Sequence, residues 1–408
     1  MAELTGPELL TRTQAFFKEV LPMAAESLIN GETVLASNLE RVSKGIVIGP
    51  PAKARVPLRI GRNPAVGARS FKGALPKPGN SRWASTLVTL GYNYGTLYIP
   101  GQYFKAKTAD AAFGNYLTEE SEALVESLKL DYNRQLLGDA TGILATCGVM
   151  GAPGDVIPVS DTKWFYIDQI VDIRTTATGA VLAAEYTVVA VDTVTSEITL
   201  VDENGAAAST TTAATHSVYV AGARNVEIKG LKSINSDVNP PLGPLQEIDV
   251  ADVDIWKANV LATGGAAPTE TLLEDFMDSI DARTRTGRNK KLLLTTYKIR
   301  QKFAQSIRDD RQIPGDTMVL KGGFKAVWWN DNPIVAERDQ DAGRLDAVDL
   351  KFTKEWTMSG WETMDQGGSR LIPDPNGTDG YIVRFYKYSQ AATTHRATGG
   401  TRTGISEA

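Results

Sequence analysis

The sequence predicts an α+β protein, and three features along the chain indicate this fold class. Residues 115 to 137 carry apolar side chains at helical spacing. Residues 155 to 225 are rich in Val, Thr and Ala and alternate as strands do, with an Asn-Gly turn at Asn204 and Gly205. Residues 245 to 312 then alternate helical and strand-like patterns. At 408 residues, the chain exceeds what one hydrophobic core usually serves, so we expect more than one subdomain.

Charge is distributed unevenly along the chain. Residues 41 to 109 contain twelve Lys or Arg and no Asp or Glu, whereas residues 1 to 40 have a net charge of −4. Because the whole chain carries −5, residues 110 to 408 must carry −13. A basic segment on an acidic body is typical of a nucleic-acid arm, or of a segment that lies on a neighbouring copy. The negative total argues against a nucleic-acid binder at the level of the whole chain.

The first hundred residues predict an arm followed by an oversized loop. Residues 1 to about 40 show loose helical patterning and are expected to form an N-terminal arm. Residues 50 to 80, rich in Pro, Gly and Arg, exceed the roughly dozen residues that a compact domain tolerates without secondary structure. Many aromatic residues here and in the following "STLVTLGYNYGTLYI" argue against a disordered linker. We expect a two-stranded extended loop that is ordered by contacts outside its own domain.

The helix over 115 to 137 is the strongest in the chain. Leu124, Leu128 and Tyr132 lie on one apolar stripe. An acidic face covers its first half, where the helix dipole favours negative charge; its residues are Glu119, Glu120, Glu122 and Glu126.

The stretch "LLGDATGILA", residues 136 to 145, admits two interpretations. A phosphate-binding loop must precede a helix, so that backbone N–H groups face the anion. Here Gly138 follows the helix, at the position where glycine adopts a left-handed cap. We therefore predict a helix cap at Gly138 and a turn at Gly142, where the chain leaves for the next domain.

No catalytic or metal-binding constellation emerges from the sequence. With two histidines and one cysteine, no Cys/His zinc site is possible within the chain, and Cys147 lies in an apolar setting that favours an inert buried thiol. Glu274, Asp278 and Asp281 share a helical face and are interpreted as a solvated acidic surface. Trp328 and Trp329 should point to opposite faces of a strand, one to the core and one to a contact. We expect no enzymatic activity, no cofactor and no metal.

Membrane association is also not expected. No apolar run approaches the roughly eighteen residues that a membrane span requires. The N-terminus lacks the basic region and apolar core of a signal peptide.

Taken in order, several motifs resemble the major capsid proteins of tailed bacteriophages, which have the Hong Kong 97-type fold. The motifs are "GALPKPGNSRWASTLVTLGYNYGTLYIPGQYF" and then "TADAAFGNYLTEESEALVESLKLDYNRQLLGDATGILA". In that family a long hairpin, the E-loop, precedes a long "spine" helix that ends in a Gly-Asp-Gly-Thr-Gly type sequence. This chain has Gly138-Asp139-Ala140-Thr141-Gly142 there, so Ala140 replaces the middle glycine. The later "KLLLTTYKIRQKFAQSIRDD", "VLKGGFKAVWWNDNPIVAERD" and "YIVRFYKYSQAATTH" are also similar.

The resemblance implies an α+β capsid fold with a definite division of the chain. Its parts would be an N-terminal arm (1–49), an E-loop (50–100), a peripheral domain with the spine helix (101–154), an inserted β-domain (155–225), an axial domain (226–317), peripheral-domain strands (318–386) and a C-terminal segment that returns to the axial domain (387–408). The E-loop would lie across a neighbouring subunit, through Arg59, Arg62, Arg69, Lys72, Lys77, Arg82 and Trp83. Its positive charge would complement the acidic body of that neighbour.

The resemblance further implies a shell protein that assembles with itself into hexamers and pentamers. The icosahedral shell would enclose double-stranded phage DNA without sequence specificity. Its other partners would be portal, scaffolding and decoration proteins. It would occur in the virion capsid and, during assembly, in the host cytoplasm. A scaffold would be a separate protein or absent, since no long helical segment precedes the arm.

Two alternatives stay open: an encapsulin-like cellular compartment of the same fold, and a nucleic-acid-binding protein that uses residues 41 to 109. Some family members form a Lys–Asn cross-link between subunits. Lys72 and Lys77 lie in a suitable loop, but no asparagine and glutamate match, so no cross-link is predicted.

Overall fold

The computed structural model describes residues 33–47, 51–71, 73–104, 110–284, 290–311, 317–319, 325–375 and 377–407. The chain forms two compact units. The first consists of Met1–Asp139 together with Ile228–Ala408, and the second of Ala140–Glu227. The bulk of the expected N-terminal arm lies outside the described residues, as does Lys72.

All α-helices of the described residues belong to the first unit, and one of them dominates it. They are α1 (Val34–Asn38), α2 (Asp110–Leu137), α3 (Leu231–Ile234), α4 (Glu270–Thr284) and α5 (Tyr297–Arg311). The 28 residues of α2 span about 42 Å at 1.5 Å per residue. This helix begins at Asp110, earlier than the predicted 115. On the predicted stripe, Leu128 and Tyr132 are buried and Leu124 is half-buried.

The hairpin sheet has three antiparallel strands, β2 (Ile46–Val47), β3 (Lys53–Arg59) and β4 (Trp83–Thr89). Every second residue of β3 is buried, as expected for a strand with one face on a core. These are Ala54, Val56 and Leu58, which pack in one cluster with Val88 of β4.

A second sheet, which we call the long-strand sheet, packs in the same hydrophobic cluster. Its strands are β1 (Glu40–Val42), β5 (Gly91–Pro100), β18 (Thr353–Thr357), β19 (Glu362–Thr363), β20 (Ile372–Pro373) and β21 (Gly380–Thr393). Strand β21 is the centre, because β5, β18, β19 and β20 all pair with it. Helix α2 packs on β5, where Leu128 contacts the space left by Gly95.

The seven-stranded mixed sheet carries α4 and α5. In spatial order it contains β12 (Asn259–Ala262), β22 (Gly400–Thr403), β17 (Leu345–Val348), β13 (Leu292–Thr295), β16 (Asn332–Ala336), β15 (Lys325–Trp329) and β14 (Thr317–Val319). The apolar face of α4 lies in the core of this sheet, where its five large side chains are all buried: Leu272, Leu273, Phe276, Met277 and Ile280.

The mixed sheet changes the predicted grouping of the late strands. Residues 318 to 386 were expected to belong together, but β14 to β17 pair around β13, whereas β18 to β21 form the long-strand sheet. The reason is β13, whose four residues are all buried and whose two edges must both be hydrogen-bonded. Strands β16 and β17 supply those edges from a later part of the sequence.

The second unit is one antiparallel sheet with a core of its own. In spatial order its strands are β6 (Ile143–Thr146), β11 (His216–Val220), β8 (Ile170–Thr175), β9 (Val181–Asp192), β10 (Glu197–Val201) and β7 (Val156–Pro158). The unit starts at Ala140, whereas the predicted β-domain starts at 155, because β6 pairs with β11.

Trp328 and Trp329 lie on opposite faces of β15, as the alternation of a strand predicts. Trp329 packs with α4, and its indole N–H donates to Glu270 Oε1 at 2.9 Å. Trp328 packs against the other core of the same unit. Trp328 stays half-buried there, so the expected contact of one tryptophan with another molecule stays a prediction.

Candidate subunit interface

The base of the β3–β4 hairpin is fixed rigidly to the first unit. Its seven register pairs run from Lys53–Thr89 to Arg59–Trp83. Lys53 Nζ also lies 3.2 Å from Glu247 Oε1. The hairpin can therefore hold the loop that connects its two strands in a defined position.

The loop that joins the two strands, residues 60–82, is closed at its base by backbone hydrogen bonds. The N–H groups of Ile60 and Gly61 donate to the Arg82 carbonyl at 2.9 and 3.1 Å. Beyond this closure, the described part of the loop contains no helix or strand. A long loop without secondary structure of its own is typical of a binding segment.

The predicted cations of the loop are free of carboxylates. Arg59 ends β3, and the others follow it in the loop; all of Arg59, Arg62, Arg69, Lys77 and Arg82 are exposed. Among the described residues, none of these five has an Asp or Glu oxygen within 4.0 Å. Arg69 donates only to the adjacent Ala68 carbonyl, at 3.0 Å. Their charge is thus available to another molecule.

Apolar side chains accompany this charge. The exposed fractions are 83% for Val66, 94% for Phe71, 86% for Leu75 and 64% for Trp83. Burying a large apolar side chain stabilises by about 1.5–3 kcal/mol relative to leaving it in water. Three of these residues lie in the loop and Trp83 opens β4 next to it, and such a group is typical of a surface that another molecule covers.

The predicted acidic face of α2 is also exposed. Glu119, Glu120, Glu122 and Glu126 all face solvent, and none forms an ion pair within the described ranges. Their carboxylates and the cations of the loop form two complementary sets, and neither is neutralised within the described chain.

A tyrosine-rich surface on the long-strand sheet escaped the sequence analysis. Register pairs Tyr92 with Tyr388 and Tyr94 with Tyr386. The rings of Tyr92 and Tyr388 meet edge to face, with centroids 5.0 Å apart. The alternating "YNY" and "FYKY" in these strands could have indicated it, since every second residue of a strand shares a face.

Comparison with solved structures identifies the fold of this chain. No family model matches the sequence, and no curated protein matches it. The chain is similar to the solved cyanophage A-1(L) capsid asymmetric unit, with a TM-score of 0.50, 11% identity, and coverage of 92% of this chain and 93% of that one. The fold is the Hong Kong 97-type capsid fold. The capsid of a native GTA particle (TM-score 0.47, 8% identity, 92% and 91% covered) and the SrpI encapsulin complex of Synechococcus elongatus PCC 7942 (0.43, 9%, 91% and 87%) also match.

In this Hong Kong 97-type chain, the segment after α2 differs from the predicted cap. Gly138 is not left-handed; its N–H donates to the Gln135 carbonyl at 3.1 Å. The left-handed residues are Ala140, at φ 72°, and Gly142, at φ 77°. At Gly138 a side chain would instead crowd the last helical turn, because a Cβ would lie 3.3 Å from the Arg134 carbonyl oxygen.

Cys147 and the acidic residues of α4 were the other candidates for chemistry. The Cys147 thiol is buried, and burial raises its pKa to about 12, which disfavours the nucleophilic thiolate. Glu274, Asp278 and Asp281 line an open cavity of about 630 Å³ beside Lys290. Within the described ranges, no group of three or more His, Cys, Asp or Glu is placed to hold a metal ion. No described helix is both long and apolar enough to cross a membrane.

Proposed function

We propose that the chain is the major capsid protein of a tailed phage. It assembles with itself, as hexamers and pentamers, into an icosahedral shell around a double-stranded DNA genome. The observation that carries the proposal is the β3–β4 hairpin with its loop. It presents five cations that have no carboxylate partner among the described residues and four exposed apolar side chains, in a chain with a capsid fold.

The loop acts as the E-loop and lies across the next subunit. A contact between two different surfaces of identical chains is heterologous, so it propagates from copy to copy and closes into a ring when the rotation permits. The net charge of −13 beyond residue 109 favours binding of the acid-free loop. Such complementarity mainly sets the register and the rate of approach.

The remaining parts take the roles that the resemblance assigned. Helix α2 and the long-strand sheet form the peripheral domain, and the mixed sheet with α4 and α5 forms the axial domain at the centre of each capsomer. DNA is packaged without sequence specificity, because a shell protein needs only to tolerate the polymer that it encloses. Portal, scaffolding and decoration proteins are the further partners, and assembly takes place in the host cytoplasm.

The test is assembly of the expressed full-length chain, with and without candidate scaffolding proteins. We expect megadalton particles in sedimentation velocity and closed shells in electron micrographs. The variant Arg59→Glu/Arg62→Glu/Arg82→Glu should fold but not assemble, and Lys290→Glu, which changes a cation outside the loop, is its control. Only monomers or dimers under every condition would overturn the proposal.

Particle content separates the related possibilities. Nuclease-resistant double-stranded DNA in particles from the source would support the phage shell. An enzyme cargo without DNA would identify a cellular compartment instead. A free subunit that binds DNA with a steep dependence on salt, and never assembles, would identify a nucleic-acid-binding protein.

A further inference from the structure

The second unit carries much of the negative charge of the chain. Its 88 residues, 140–227, contain ten Asp or Glu and three Lys or Arg, a net charge of −7. Residues 110 to 408 together carry −13, so this unit supplies over half of that charge. The opposite extreme is the acid-free segment with its twelve cations.

A cleft on the second unit gathers part of this charge around an open space of about 660 Å³. Its walls come from the approach to β8, from β9, from the turn after β10 and from the end of β11. We call it the acidic cleft, and the residues used below are Tyr166, Asp168, Ile170, Glu185, Glu203 and Val220.

The three carboxylates of the acidic cleft are exposed and unpaired. Within the described part of the chain, Asp168, Glu185 and Glu203 form no ion pair. The backbone around them is fixed: the Asp168 N–H donates to the Val188 carbonyl at 2.8 Å, and the Glu185 N–H donates to Asp172 Oδ1 at 3.0 Å. Asp172 is itself buried and paired with Arg174 at 2.7 Å. The cleft therefore presents preorganised negative charge without an internal counter-ion.

The same cleft has apolar walls. Tyr166 is 61% exposed and Ile170 is 51% exposed, and Val220 lines the cleft beside them. An occupant that satisfies the cleft must bring both cations and apolar side chains. Residues 60–82 of this chain bring both, with Arg62, Arg69 and Lys77 beside Val66, Phe71 and Leu75.

Two other exposed surfaces described above fit this loop less well. The acidic face of α2 offers four carboxylates, but no large apolar side chain from 119 to 137 is among the exposed ones. The tyrosine-rich surface offers apolar area, but Arg384 of β21 lies on the tyrosine-bearing side and would oppose a basic loop. The tyrosine-rich surface carries one exposed carboxylate, Glu362, which accepts a hydrogen bond from the Tyr386 hydroxyl at 2.9 Å. Among these three surfaces, the acidic cleft is the one that sets three carboxylates, unpaired within the described residues, beside exposed apolar walls.

We propose that the acidic cleft receives the loop 60–82 of a second copy of this chain. The inference rests on the proposed function, because it specifies where the E-loop of one subunit docks on the next. The cations of the loop approach Asp168, Glu185 and Glu203, while its apolar side chains cover Tyr166 and Ile170. The inserted unit then acts as a clamp between neighbouring subunits.

Photo-crosslinking in assembled full-length particles tests the contact directly. Phe71 is replaced by p-benzoylphenylalanine, particles are irradiated, and the cross-linked peptides are identified by mass spectrometry. We expect intermolecular cross-links to residues 163–187 or 202–220. Cross-links confined to 119–137, to the tyrosine-rich surface or to no protein segment at all would overturn this inference while leaving the shell intact. Failure to form particles would instead count against the proposed function.

Charge reversal provides a second, independent test. The variant Glu185→Lys/Glu203→Lys should raise the critical assembly concentration by about tenfold, and Arg69→Glu/Lys77→Glu in the same chain should restore part of the loss. The matched control Glu119→Lys/Glu122→Lys reverses two exposed carboxylates on α2 and should change assembly less. Equal losses in both pairs, or no rescue, would contradict docking at the cleft. Circular dichroism of the subunits separates these results from misfolding.

Discussion

The Nζ atom of Lys387 lies 2.6 Å from Oε1 of Glu355, and both side chains are only 1% exposed. The Tyr132 hydroxyl donates to the same carboxylate oxygen, and Lys387 Nζ donates to the Tyr132 hydroxyl at 3.0 Å. Lys387 Nζ also lies 4.2 Å from the centre of the Tyr132 ring. These three residues come from β21, β18 and α2, so the network fixes the position of the long helix on its sheet.

Removing one charge of this pair should destabilise the chain strongly. Glu355→Gln leaves a buried ammonium without a counter-ion, and breaking such a pair costs about 3–5 kcal/mol. The control is Glu40→Gln, which breaks the surface pair Lys354–Glu40 of 2.7 Å and should cost less than about 1 kcal/mol. Urea unfolding of the unassembled subunit measures both, and similar losses in the two variants would contradict a special role of the buried pair.

The buried pair should also make stability depend on acid pH. Burial acts to raise the pKa of Glu355, but the Lys387 ammonium and hydrogen bonds from Lys387 and Tyr132 outweigh it and hold this pKa below its usual 4.5. A carboxyl with a lowered folded-state pKa contributes stability above pH 4.5, and loses it as the pH falls through the folded-state pKa. The unfolding free energy of Glu355→Gln should therefore fall less between pH 5 and pH 3 than that of the parent. Parallel curves would show that Glu355 is not the responsible group.

The sequence could predict one member of this network and not the other two. Tyr132 belongs to a helical apolar stripe, so its burial follows from spacing. Lys387 stands in an alternating strand, but its partner Tyr132 is 255 positions away, and a lysine is assigned to solvent unless its counter-ion is known. Non-local pairing of this kind leaves no local signal.

The same limit explains which parts of the interface could be predicted. The lack of Asp and Glu in residues 41–109 is a property of composition, so the sequence alone predicts a basic loop. The acidic cleft combines residues from four separate segments of the second unit, so its shape depends on the fold of that sheet. The grouping of β14 to β17 failed for a related reason, because the partners of β13 follow it in the sequence and no local pattern identifies them.

A side chain at Gly230 should destabilise the fold, because the end of α2 packs directly against this position. A Cβ at this position would lie 2.3 Å from the Gln135 carbonyl oxygen and 2.4 Å from that of Leu136, in the last turn of α2. Since both are backbone atoms, Gly230→Ala requires the helix end to move, and we expect a loss of about 2–3 kcal/mol. Gly151→Ala is the control, because nothing lies within 4 Å of its Cβ position. Thermal unfolding of both subunits measures the difference, and equal melting temperatures would contradict it.

Ala140 and Gly142 are both left-handed, yet their substitutions should differ. At Gly142 a Cβ would meet the Ala223 carbonyl oxygen at 2.7 Å, so Gly142→Ala adds a backbone clash to the strain of φ 77° and should cost more than about 2 kcal/mol. Ala140→Gly relieves the strain of φ 72° but removes a buried methyl group and increases the freedom of the unfolded chain. These effects oppose each other, so its unfolding free energy should stay within about 1 kcal/mol of the parent. A large loss at Ala140 with none at Gly142 would contradict the assigned backbone geometry.

Trp83 should matter for assembly and not for folding. The residue opens β4, opposite Arg59, and its indole is 64% exposed in the single chain. Truncating an exposed side chain usually changes stability by less than about 0.5 kcal/mol, so Trp83→Ala subunits should unfold like the parent. If the hairpin docks on a neighbour, the same indole is buried in the particle, and a central aromatic anchor contributes about 2 kcal/mol or more to binding. Trp83→Ala should then raise the critical assembly concentration, measured by light scattering, by at least about tenfold, whereas Trp83→Phe keeps an aromatic ring and should assemble nearly as well. Normal assembly of Trp83→Ala would place this end of the hairpin outside the interface.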